Sequence, residues 1–261
     1  MTVTVADIQA KLRVADEAEF AALERSLAAD TRKGVRAALD VARRRIASEK
    51  AERARVDGLY EFDRSHLGEG QHIVVGLDEV GRGAVAGPLA VGAVVLPDEP
   101  HIAGLNDSKQ LTPEQREEIA SIVKERALAW AVEYVEPAFI DENGMAASLR
   151  KAFAGALKQV EDHGVRADVV LIDGNPLHID DREANVVKGD ATSASIAAAS
   201  IVAKVTRDAL MRDLGDEWPE YDFGGNKGYG SPQHVGAIKK HGLSPVHRRS
   251  FCRSFMQESL F

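Results

Sequence analysis

The sequence predicts an α/β fold with a mixed central β-sheet flanked by helices, an N-terminal helical extension and a C-terminal helical region. Three observations predict it. Short apolar runs rich in β-branched residues recur from residue 72 onward, and helical patterns separate most of them. The first two runs follow each other without a helix between them, so the sheet is expected to be mixed rather than all parallel.

The N-terminal extension begins with helical signals. Thr4-x-x-Asp7 resembles a capping box, and Asp30-Thr31 is expected to begin a second helix. The apolar face of that helix would use Val35, Leu39, Ala42 and Ile46. Its other face is basic and carries Arg32, Lys33, Arg36, Arg43, Arg44 and Arg45. A solvated helical face is the favoured interpretation of these charges, and a nucleic-acid contact is the alternative.

A joint is expected between Ser65 and Gln71, where two glycines fall. It would divide the chain into the helical extension, residues 1–70, and a main domain, residues 71–261. Strands are predicted there at 72–78, 88–96, 127–135, 168–173 and 184–187. Helices are predicted at 112–126, 137–162 and 192–214, the first of which starts with the cap-and-proline pair Thr112-Pro113.

Composition narrows the possible functions. The chain has 261 residues, 44% of them hydrophobic, which is enough for one large domain with an appendage. Cys252 is the single cysteine, which excludes an internal disulfide and a multi-cysteine metal site. The sequence has neither an apolar run of membrane-spanning length nor an export pattern, so a soluble cytoplasmic protein without membrane contact is expected.

The net charge of −8 is unevenly distributed. Residues 71–223 carry 14 basic and 27 acidic side chains, whereas residues 224–261 carry six basic side chains and one acidic one. An acidic centre with a basic flank suits a protein that needs cations and also meets an anion.

Carboxylates stand at the ends of predicted elements. Asp78 and Glu79 end the first strand, Asp173 ends the fourth, and Asp190 precedes a helix. Taken singly, Asp173 is explained as a turn residue and Asp190 as a helix cap. If the first and fourth strands are neighbours, however, Asp78 and Asp173 converge, and such like charges require protonation or a bridging cation. A site made only of carboxylates favours Mg²⁺ or Mn²⁺, and two such ions can promote phosphodiester hydrolysis.

The glycine-rich stretch GLDEVGRGAVAG, residues 76–87, fits a dinucleotide-binding fingerprint poorly. Its glycines would allow the backbone to approach a sugar–phosphate closely and to donate N–H groups to it. Arg82, between Gly81 and Gly83, would add a phosphate or stacking contact.

Five motifs in order carry a family resemblance: DEVGRG…AGP at 78–88, NDSKQL at 106–111, LIDGN at 171–175, KGDATSASIAAASIVAKVTRD at 188–208 and NKGYGSPQH at 226–234. Over residues 72 to about 255 the chain resembles bacterial ribonuclease HII. Arg82 and the helical extension favour type 2 over the type-3 relatives.

The resemblance implies an RNase H-like fold and endonucleolytic cleavage of the RNA strand in RNA/DNA hybrids. It also implies cleavage at single ribonucleotides in duplex DNA, with 5′-phosphate and 3′-hydroxyl ends, and a role in ribonucleotide removal during replication and repair. The implied ligands of two Mn²⁺ or Mg²⁺ ions are Asp78, Glu79, Asp173 and Asp190.

The resemblance also implies substrate contacts. The backbone of Gly81, Arg82 and Gly83 would bind the 2′-hydroxyl that distinguishes RNA from DNA. Tyr229 would lie against the next, deoxy sugar, and a buried core tyrosine is the weaker alternative because glycines flank it. Lys109 and the basic residues after 224 would hold phosphates, although Lys109 alone is equally consistent with an ordinary loop lysine.

Other polar residues are assigned structural roles. Asp208 lies four residues after Lys204 on a helix, so an ion pair explains it better than metal binding. Three histidines share no ligand spacing and are interpreted as structural or phosphate-facing, namely His234, His241 and His247.

The last five residues resemble the Q-x-x-L-F peptides that dock on the sliding clamp of replication. In this interpretation Leu260 and Phe261 enter an apolar pocket, and Gln257 bonds at its rim. The alternative is that they fold back as the last turn of a helix starting near His247. That alternative is slightly favoured, because five-residue motifs often arise by chance.

Two other functions stay open at this point. Another metal-dependent nuclease of the same fold, cutting DNA or resolving junctions, would share the carboxylates but need no reader of a 2′-hydroxyl. A nucleotide-binding module would use the glycine turn to bind mononucleotides without metal-dependent hydrolysis. Comparing an all-DNA duplex with one that carries a single ribonucleotide tests the first of these, and the poor match to the dinucleotide-binding fingerprint counts against the second.

Overall fold

A computed structural model describes residues 3–256 of the chain. The tail residues Gln257, Leu260 and Phe261 lie outside the described residues. Contacts between residues divide the chain into two compact units, Met1–Asp57 and Gly58–Phe261.

The first unit is helical. It contains α1 (Val5–Val14), α2 (Glu17–Ser26) and the beginning of α3 (Lys33–Arg64). The predicted capping box at the start of α1 is confirmed. The sequence interpretation did not single out α2, which begins with a second capping box formed by Asp16 and Glu19, so the helix expected as the second is the third. Its predicted apolar face is buried against residues of α1 and α2, among them Ile8, Leu12 and Phe20.

The basic face of α3 is largely paired within this unit. Arg43 contacts Glu24 at 2.7 Å and Asp40 at 2.6 Å. Arg45 contacts Glu49 at 2.9 Å and donates to the carbonyl of Ala15 at 2.6 Å. These ion pairs are consistent with the favoured interpretation of the basic residues as a solvated helical face.

The second unit is built on a mixed five-stranded sheet, as predicted. Its strands are β1 (Val74–Val80), β2 (Leu89–Val95), β3 (Ala129–Val135), β4 (Val169–Asp173) and β5 (Glu183–Val186). They lie in the order β3-β2-β1-β4-β5, with antiparallel pairing among the first three and parallel pairing of β1, β4 and β5.

Helices cover both faces of the sheet. They are α4 (Pro113–Arg126), α5 (Pro137–Asp162), α6 (Gly189–Thr192), α7 (Ala194–Glu217), α8 (Phe223–Asn226), α9 (Pro232–His241) and α10 (Arg249–Met256). Along the chain, the first two lie between strands and the others follow β5. The helical C-terminal region is thus present, and α10 begins near His247 as expected. No helix within residues 3–256 is long and apolar enough to cross a membrane.

The close packing of α7 on the sheet depends on small residues. A side-chain carbon on Gly76 of β1 would lie 2.2 Å from the backbone of Ser195, and one on Gly92 of β2 would lie 2.4 Å from the carbonyl of Ala199. The facing turns of α7 are mostly alanine and serine and are buried. The helix therefore lies almost against the sheet backbone, which carries its polar side chains to the end of β1.

Candidate active site

The pairing of β1 with β4 brings two predicted site residues together. The two strands are parallel neighbours with Leu77 opposite Ile172, so Asp78 and Asp173 follow them side by side. The condition on which the sequence interpretation depended, that these two strands are neighbours, is therefore met. The end of β1 is later than predicted, at Val80, because its pairing with β2 continues to Val80 opposite Ala90 after its pairing with β4 has stopped. Asp78 and Glu79 thus lie inside the strand.

These side chains open into a cavity of about 370 Å³. The cavity contains eight of the predicted site residues together with two serines and a lysine, and its lining includes Asp78, Glu79, Gly81, Arg82, Gly83, Ser108, Lys109, Asp173, Ser200, Lys204 and Tyr229. Asp190 is not in this lining, but its Oδ2 lies 3.2 Å from Nζ of Lys109. All nine of these predicted site residues therefore lie in or directly beside one cavity.

Asp78 is the most deeply placed of the carboxylates, at 6% exposure. Its Oδ1 accepts from the backbone N–H of Glu79 at 2.8 Å, and the Ser200 hydroxyl provides a second stabilising bond. Burial, followed by the negative charges of Glu79 and Asp173, nevertheless raises the pKa of Asp78 to about 8. A buried carboxylate in this position is costly unless a proton or a cation accompanies it.

The neighbouring carboxylates share this environment. Burial raises the pKa of Glu79, and the guanidinium of Arg82, 3.4 Å away, counteracts it. Burial and the charge of Asp190 raise the pKa of Asp173, whose Oδ1 accepts from the N–H of Gly189 at 2.6 Å. Asp190 is buried in the first turn of α6 and does not cap α7, since Ser193 does so. The helix-cap explanation of Asp190 is therefore wrong.

The chemistry of this donor set fits a hard divalent cation. The donors are all carboxylate oxygens, and the pKa of three of the four is raised mainly by burial. Within residues 3–256, no three His, Cys, Asp or Glu side chains are already arranged around a single ion position. Positive charge at the site comes from Lys109, against Asp190, from Arg82, against Glu79, and from Lys204, which is paired with Asp208.

Two buried arginines bind backbone carbonyls in and next to the glycine-rich loop. Arg207 donates to the carbonyls of Pro88 and Lys227, each at 2.9 Å. Arg248 donates to the carbonyls of Gly87 and Arg82, each at 3.0 Å. Both arginines are fully buried. They were not identified from the sequence, because an arginine that binds carbonyls distant along the chain leaves no local signal.

Gly81 needs to be glycine for two reasons. Its φ is +83°, and a side-chain carbon there would lie 2.3 Å from Nε of Arg207. Gly83, in contrast, has open space where a side chain would stand. A side chain at position 81 would therefore be strained, whereas position 83 has room for one.

Tyr229 lies at the rim of the cavity. It is 39% exposed, so the alternative that it is a buried core tyrosine is wrong. The guanidinium carbon of Arg207 lies 5.8 Å from the centre of its ring, a cation–π distance.

A buried carboxylate outside the predicted set connects to the helix that follows Asp190. Oδ1 of Asp63, near the end of α3, accepts from the Ser193 hydroxyl at 2.5 Å, and its Oδ2 accepts from the N–H of Ser195 at 2.8 Å. The sequence held one signal for it. Asp63 continues the helical spacing of the buried residues Val56 and Tyr60, which places a charge at a core position.

The remaining sequence assignments have clear outcomes. Lys204 Nζ and Asp208 Oδ1 are 2.8 Å apart, so the predicted ion pair is confirmed. His234 and His247 are buried and His241 is exposed. A second cavity, of about 430 Å³, lies beside β5 and has acidic walls. Its carboxylates Asp180 and Glu183 are already bonded, to Arg182 and to backbone N–H groups respectively.

Comparisons with known proteins find similar sequences and similar folds. The family model described as Ribonuclease HII matches residues 75–254, and the model described as Ribonuclease HII N-terminal domain matches residues 4–67. The Ribonuclease HII of Ruminiclostridium cellulolyticum is 43% identical over 207 residues, covering 79% of this chain and 80% of the relative. That of Halalkalibacterium halodurans is 39% identical over 248 residues, covering 95% and 93%. The crystal structure of ribonuclease H2 from Pyrococcus horikoshii OT3 superposes with a TM-score of 0.60 at 30% identity, covering 70% of this chain and 97% of that one.

Proposed function

The chain belongs to the ribonuclease HII family, whose members cleave RNA in RNA/DNA hybrids, and from this premise we propose the details of its reaction. We propose that it hydrolyses the phosphodiester bond through two divalent ions, and that it cuts at single ribonucleotides in duplex DNA as well as in longer hybrids. We further propose a cytoplasmic role in removing ribonucleotides from DNA. The observation that carries the proposal is the meeting of Asp78 and Asp173 in the same cavity as the Gly81–Gly83 loop and Tyr229.

Four residues would hold the ions: Asp78, Glu79, Asp173 and Asp190. Bound there, Mg²⁺ or Mn²⁺ supplies activation of a water molecule and stabilisation of the leaving oxygen. Burial of Asp78 and Glu79 disfavours their charged forms in the ion-free protein, so binding of a cation relieves an unfavourable state. If Asp190 held an ion, Lys109 would lose its contact with that carboxylate, and its ammonium would be available to a substrate phosphate.

The residues around the cavity suit discrimination between sugars. The Gly81–Gly83 backbone borders the cavity with open space at Gly83, so that a sugar hydroxyl can approach its N–H groups. The exposed ring of Tyr229, on the same cavity, offers a flat apolar surface to a sugar that lacks the hydroxyl. Tyr229→Ala should therefore reduce cleavage at a single ribonucleotide more than cleavage within an RNA tract. Equal losses on the two substrates would contradict this role.

The test of the proposed function is cleavage of three matched duplexes. One is all DNA, one carries a single embedded ribonucleotide, and one contains an RNA tract; each is assayed with Mg²⁺, Mn²⁺ or EDTA. We expect cleavage of the two RNA-containing duplexes with either metal and none with EDTA. Cleavage of the all-DNA duplex would favour a DNA or junction nuclease. Tight mononucleotide binding without metal-dependent cleavage would favour a nucleotide-binding module.

The metal assignment is tested by amide variants of its proposed ligands. Asp173→Asn keeps the shape of the side chain and removes its charge, so it should lose most activity and weaken Mn²⁺ binding in calorimetry while its circular dichroism stays unchanged. Asp213→Asn, at an exposed position on α7, is the matched control and should behave as wild type. Wild-type turnover by Asp173→Asn would remove Asp173 from the ligand set.

We also propose that the tail Gln257, Leu260 and Phe261 docks on a replication clamp, on the strength of its sequence alone. Tethering would raise the local concentration of the enzyme on newly made DNA. Deleting Leu260 and Phe261 should abolish clamp binding in calorimetry and leave cleavage of a short duplex intact. Absence of binding by the full chain, or unfolding of the shortened one, would give the tail a structural role instead.

A further inference from the structure

A buried pair of histidines lies directly behind Tyr229. His234, in α9, has one ring nitrogen, Nδ1, 2.9 Å from the backbone carbonyl of Tyr229. Its other ring nitrogen, Nε2, lies 3.0 Å from Nε2 of His247. His247 Nδ1 lies 3.0 Å from the backbone nitrogen of Ser244 and 2.8 Å from its hydroxyl oxygen. His234 and His247 are 0% and 2% exposed, so water does not supply alternative partners.

The two ends of this chain of bonds are backbone groups, and they determine where the protons are. A carbonyl only accepts, so Nδ1 of His234 must carry a proton and donate it to Tyr229. A backbone N–H only donates, so Nδ1 of His247 must be unprotonated and accept from Ser244. A neutral His247 then carries its proton on Nε2 and donates it to the bare Nε2 of His234. Both rings are therefore neutral, in opposite tautomers, and all four nitrogens are bonded.

This arrangement has no position for another proton. A proton added to Nε2 of His234 would face the N–H of His247 at 3.0 Å, and one added to Nδ1 of His247 would face the N–H of Ser244. Either addition breaks a link in the chain. Consistently, burial and then the neighbouring His234 lower the pKa of His247 to about 4, and burial lowers that of His234.

The pair also connects Tyr229 to the glycine-rich loop. The backbone of His247 pairs with that of Ala86, and the N–H of Ala86 donates to the carbonyl of Gly228 at 3.1 Å. The next residue, Arg248, donates its N–H to the carbonyl of Val85 at 2.8 Å. One short segment around His247 thus contacts the glycine-rich loop directly and reaches the loop that carries Tyr229 through His234.

We infer that His234 and His247 are positioning residues, which hold Tyr229 at a fixed place relative to the Gly81–Gly83 loop through this ordered chain of protons. Adding one proton to the pair breaks either the bond between the two rings or the bond to Ser244, and so removes the support on which His234 rests. The role in selectivity rests on the proposed function, since it assumes that Tyr229 contacts the deoxy sugar. The chain of protons itself does not depend on that assumption.

The groups around the pair are consistent with its neutral state. Tyr221, whose ring centre is 4.7 Å from that of His247, donates its hydroxyl to the carbonyl of Gly242 at 3.0 Å. Asp222 is the carboxylate that favours protonation of His234, and burial outweighs it. Two further titratable groups occur on the neighbouring turn and helix: Arg248, bonded to carbonyls, and Cys252, a buried thiol.

The protonation pattern is tested on the wild-type protein by long-range ¹H–¹⁵N correlations of the histidine rings. We expect the Nδ1–H tautomer for His234 and the Nε2–H tautomer for His247, both unchanged between pH 7.5 and pH about 5.5, whereas an exposed histidine titrates near pH 6.5. The opposite tautomers, or titration of either ring near pH 6.5, would overturn the inference. This measurement needs no variant and no substrate.

The consequence for selectivity is tested with His234 variants, through the ratio of cleavage at a single ribonucleotide to cleavage within an RNA tract. His234→Ala should lower this ratio at least about tenfold, because small displacements of a substrate-positioning group have effects of this size. His234→Asn should recover most of it, because its amide can occupy the place of Nδ1 and donate to Tyr229. His163→Ala, which changes an exposed histidine at the end of α5, is the control and should leave the ratio unchanged.

A loss by His234→Ala that is equal on both substrates would overturn the role in selectivity, and recovery by Asn supports it. If His234→Ala does not fold, the comparison is made between His234→Asn and His234→Gln. The amide of Gln reaches the place of Nε2 instead, so Gln should have the lower ratio, and an equal ratio would overturn the role. Failure of wild type to cut at a single ribonucleotide would overturn the proposed function instead, and the ring correlations would then decide the inference about the pair.

Discussion

Asp63 offers a sharp test of how the second unit supports its candidate site. Its two carboxylate oxygens accept from the hydroxyl of Ser193 and the N–H of Ser195, at the start of α7. Ser193 is the N-cap of that helix, and its N–H donates to the carbonyl of Gly189 at 2.9 Å, beside Asp190. Replacing Asp63 by alanine removes both acceptors and leaves a buried N–H without a partner.

The size of the effect follows from these bonds. A hydrogen bond to a charged acceptor contributes about 1.5–3 kcal/mol, so two of them contribute roughly 3–6 kcal/mol. Burial raises the pKa of Asp63, which shows that desolvation offsets part of this gain. We therefore expect Asp63→Ala to lower the free energy of unfolding by about 2–4 kcal/mol. Asp63→Asn should lose about half as much, because its single oxygen can still accept from Ser195 while its amide donates to the hydroxyl of Ser193.

The assay combines urea unfolding with a titration of cleavage rate against Mn²⁺ concentration. Because Asp63 holds the turn that carries Asp190, both variants should need more Mn²⁺ for half-maximal rate, and alanine should need more than asparagine. Glu61→Ala, an exposed change on the same helix, is the control and should match wild type in both measurements. Wild-type stability of Asp63→Ala would refute the bond energies assumed here. If Asp63→Ala lost stability but kept the wild-type Mn²⁺ requirement, Asp63 would stabilise α7 without positioning Asp190.

Three further predictions address the loop, the thiol and the basic helix. Gly81→Ala should unfold at a lower temperature than Gly83→Ala, because only the first combines a positive φ with an atom 2.3 Å from the added carbon; equal melting temperatures would contradict the strain. Burial raises the pKa of Cys252 to about 11, so at pH 8 only about one thiol in a thousand is ionised, and labelling by a thiol reagent should be slow until urea unfolds the protein. Rapid labelling of the native protein would show that the thiol is accessible. Replacing Arg43 by glutamine should leave the salt dependence of duplex binding unchanged, because its guanidinium is already paired with Glu24 and Asp40; a slope that falls by about one would instead reveal a phosphate contact.

Most strands and helices of the second unit could be predicted from local sequence patterns. Each predicted strand and long helix of the main domain overlaps an observed one, because alternation of apolar runs with capped helices is a local property. The proximity of Asp78 and Asp173 could also be predicted from the sequence, on the single condition that the first and fourth strands are neighbours. The helix α2 was missed although Asp16 and Glu19 form the same type of capping box that marked α1.

What the sequence did not reveal depends on contacts between distant residues. Asp63 reaches Ser193 across 130 positions, and Arg248 reaches Gly87 across 161. The bond between His234 and His247 similarly depends on how α9 meets the segment before α10. Sequence reasoning assigned these two histidines a structural or phosphate-facing role, which gives their environment in general terms but not the proton order that their backbone partners impose.

The packing of the core and the chemistry of the candidate site have the same cause. Gly76 and Gly92 allow α7 to approach the sheet until helix and strand backbones nearly touch, and this approach places Ser200 beside Asp78. The same approach excludes water from Asp78 and so raises its pKa to about 8. A larger residue at Gly76 would push the helix away, destabilise the core and also return Asp78 to water. The tight helix–sheet contact is therefore the reason why Asp78 favours a bound cation. A substitution at Gly76 should accordingly change both the stability of the fold and the proposed affinity for metal.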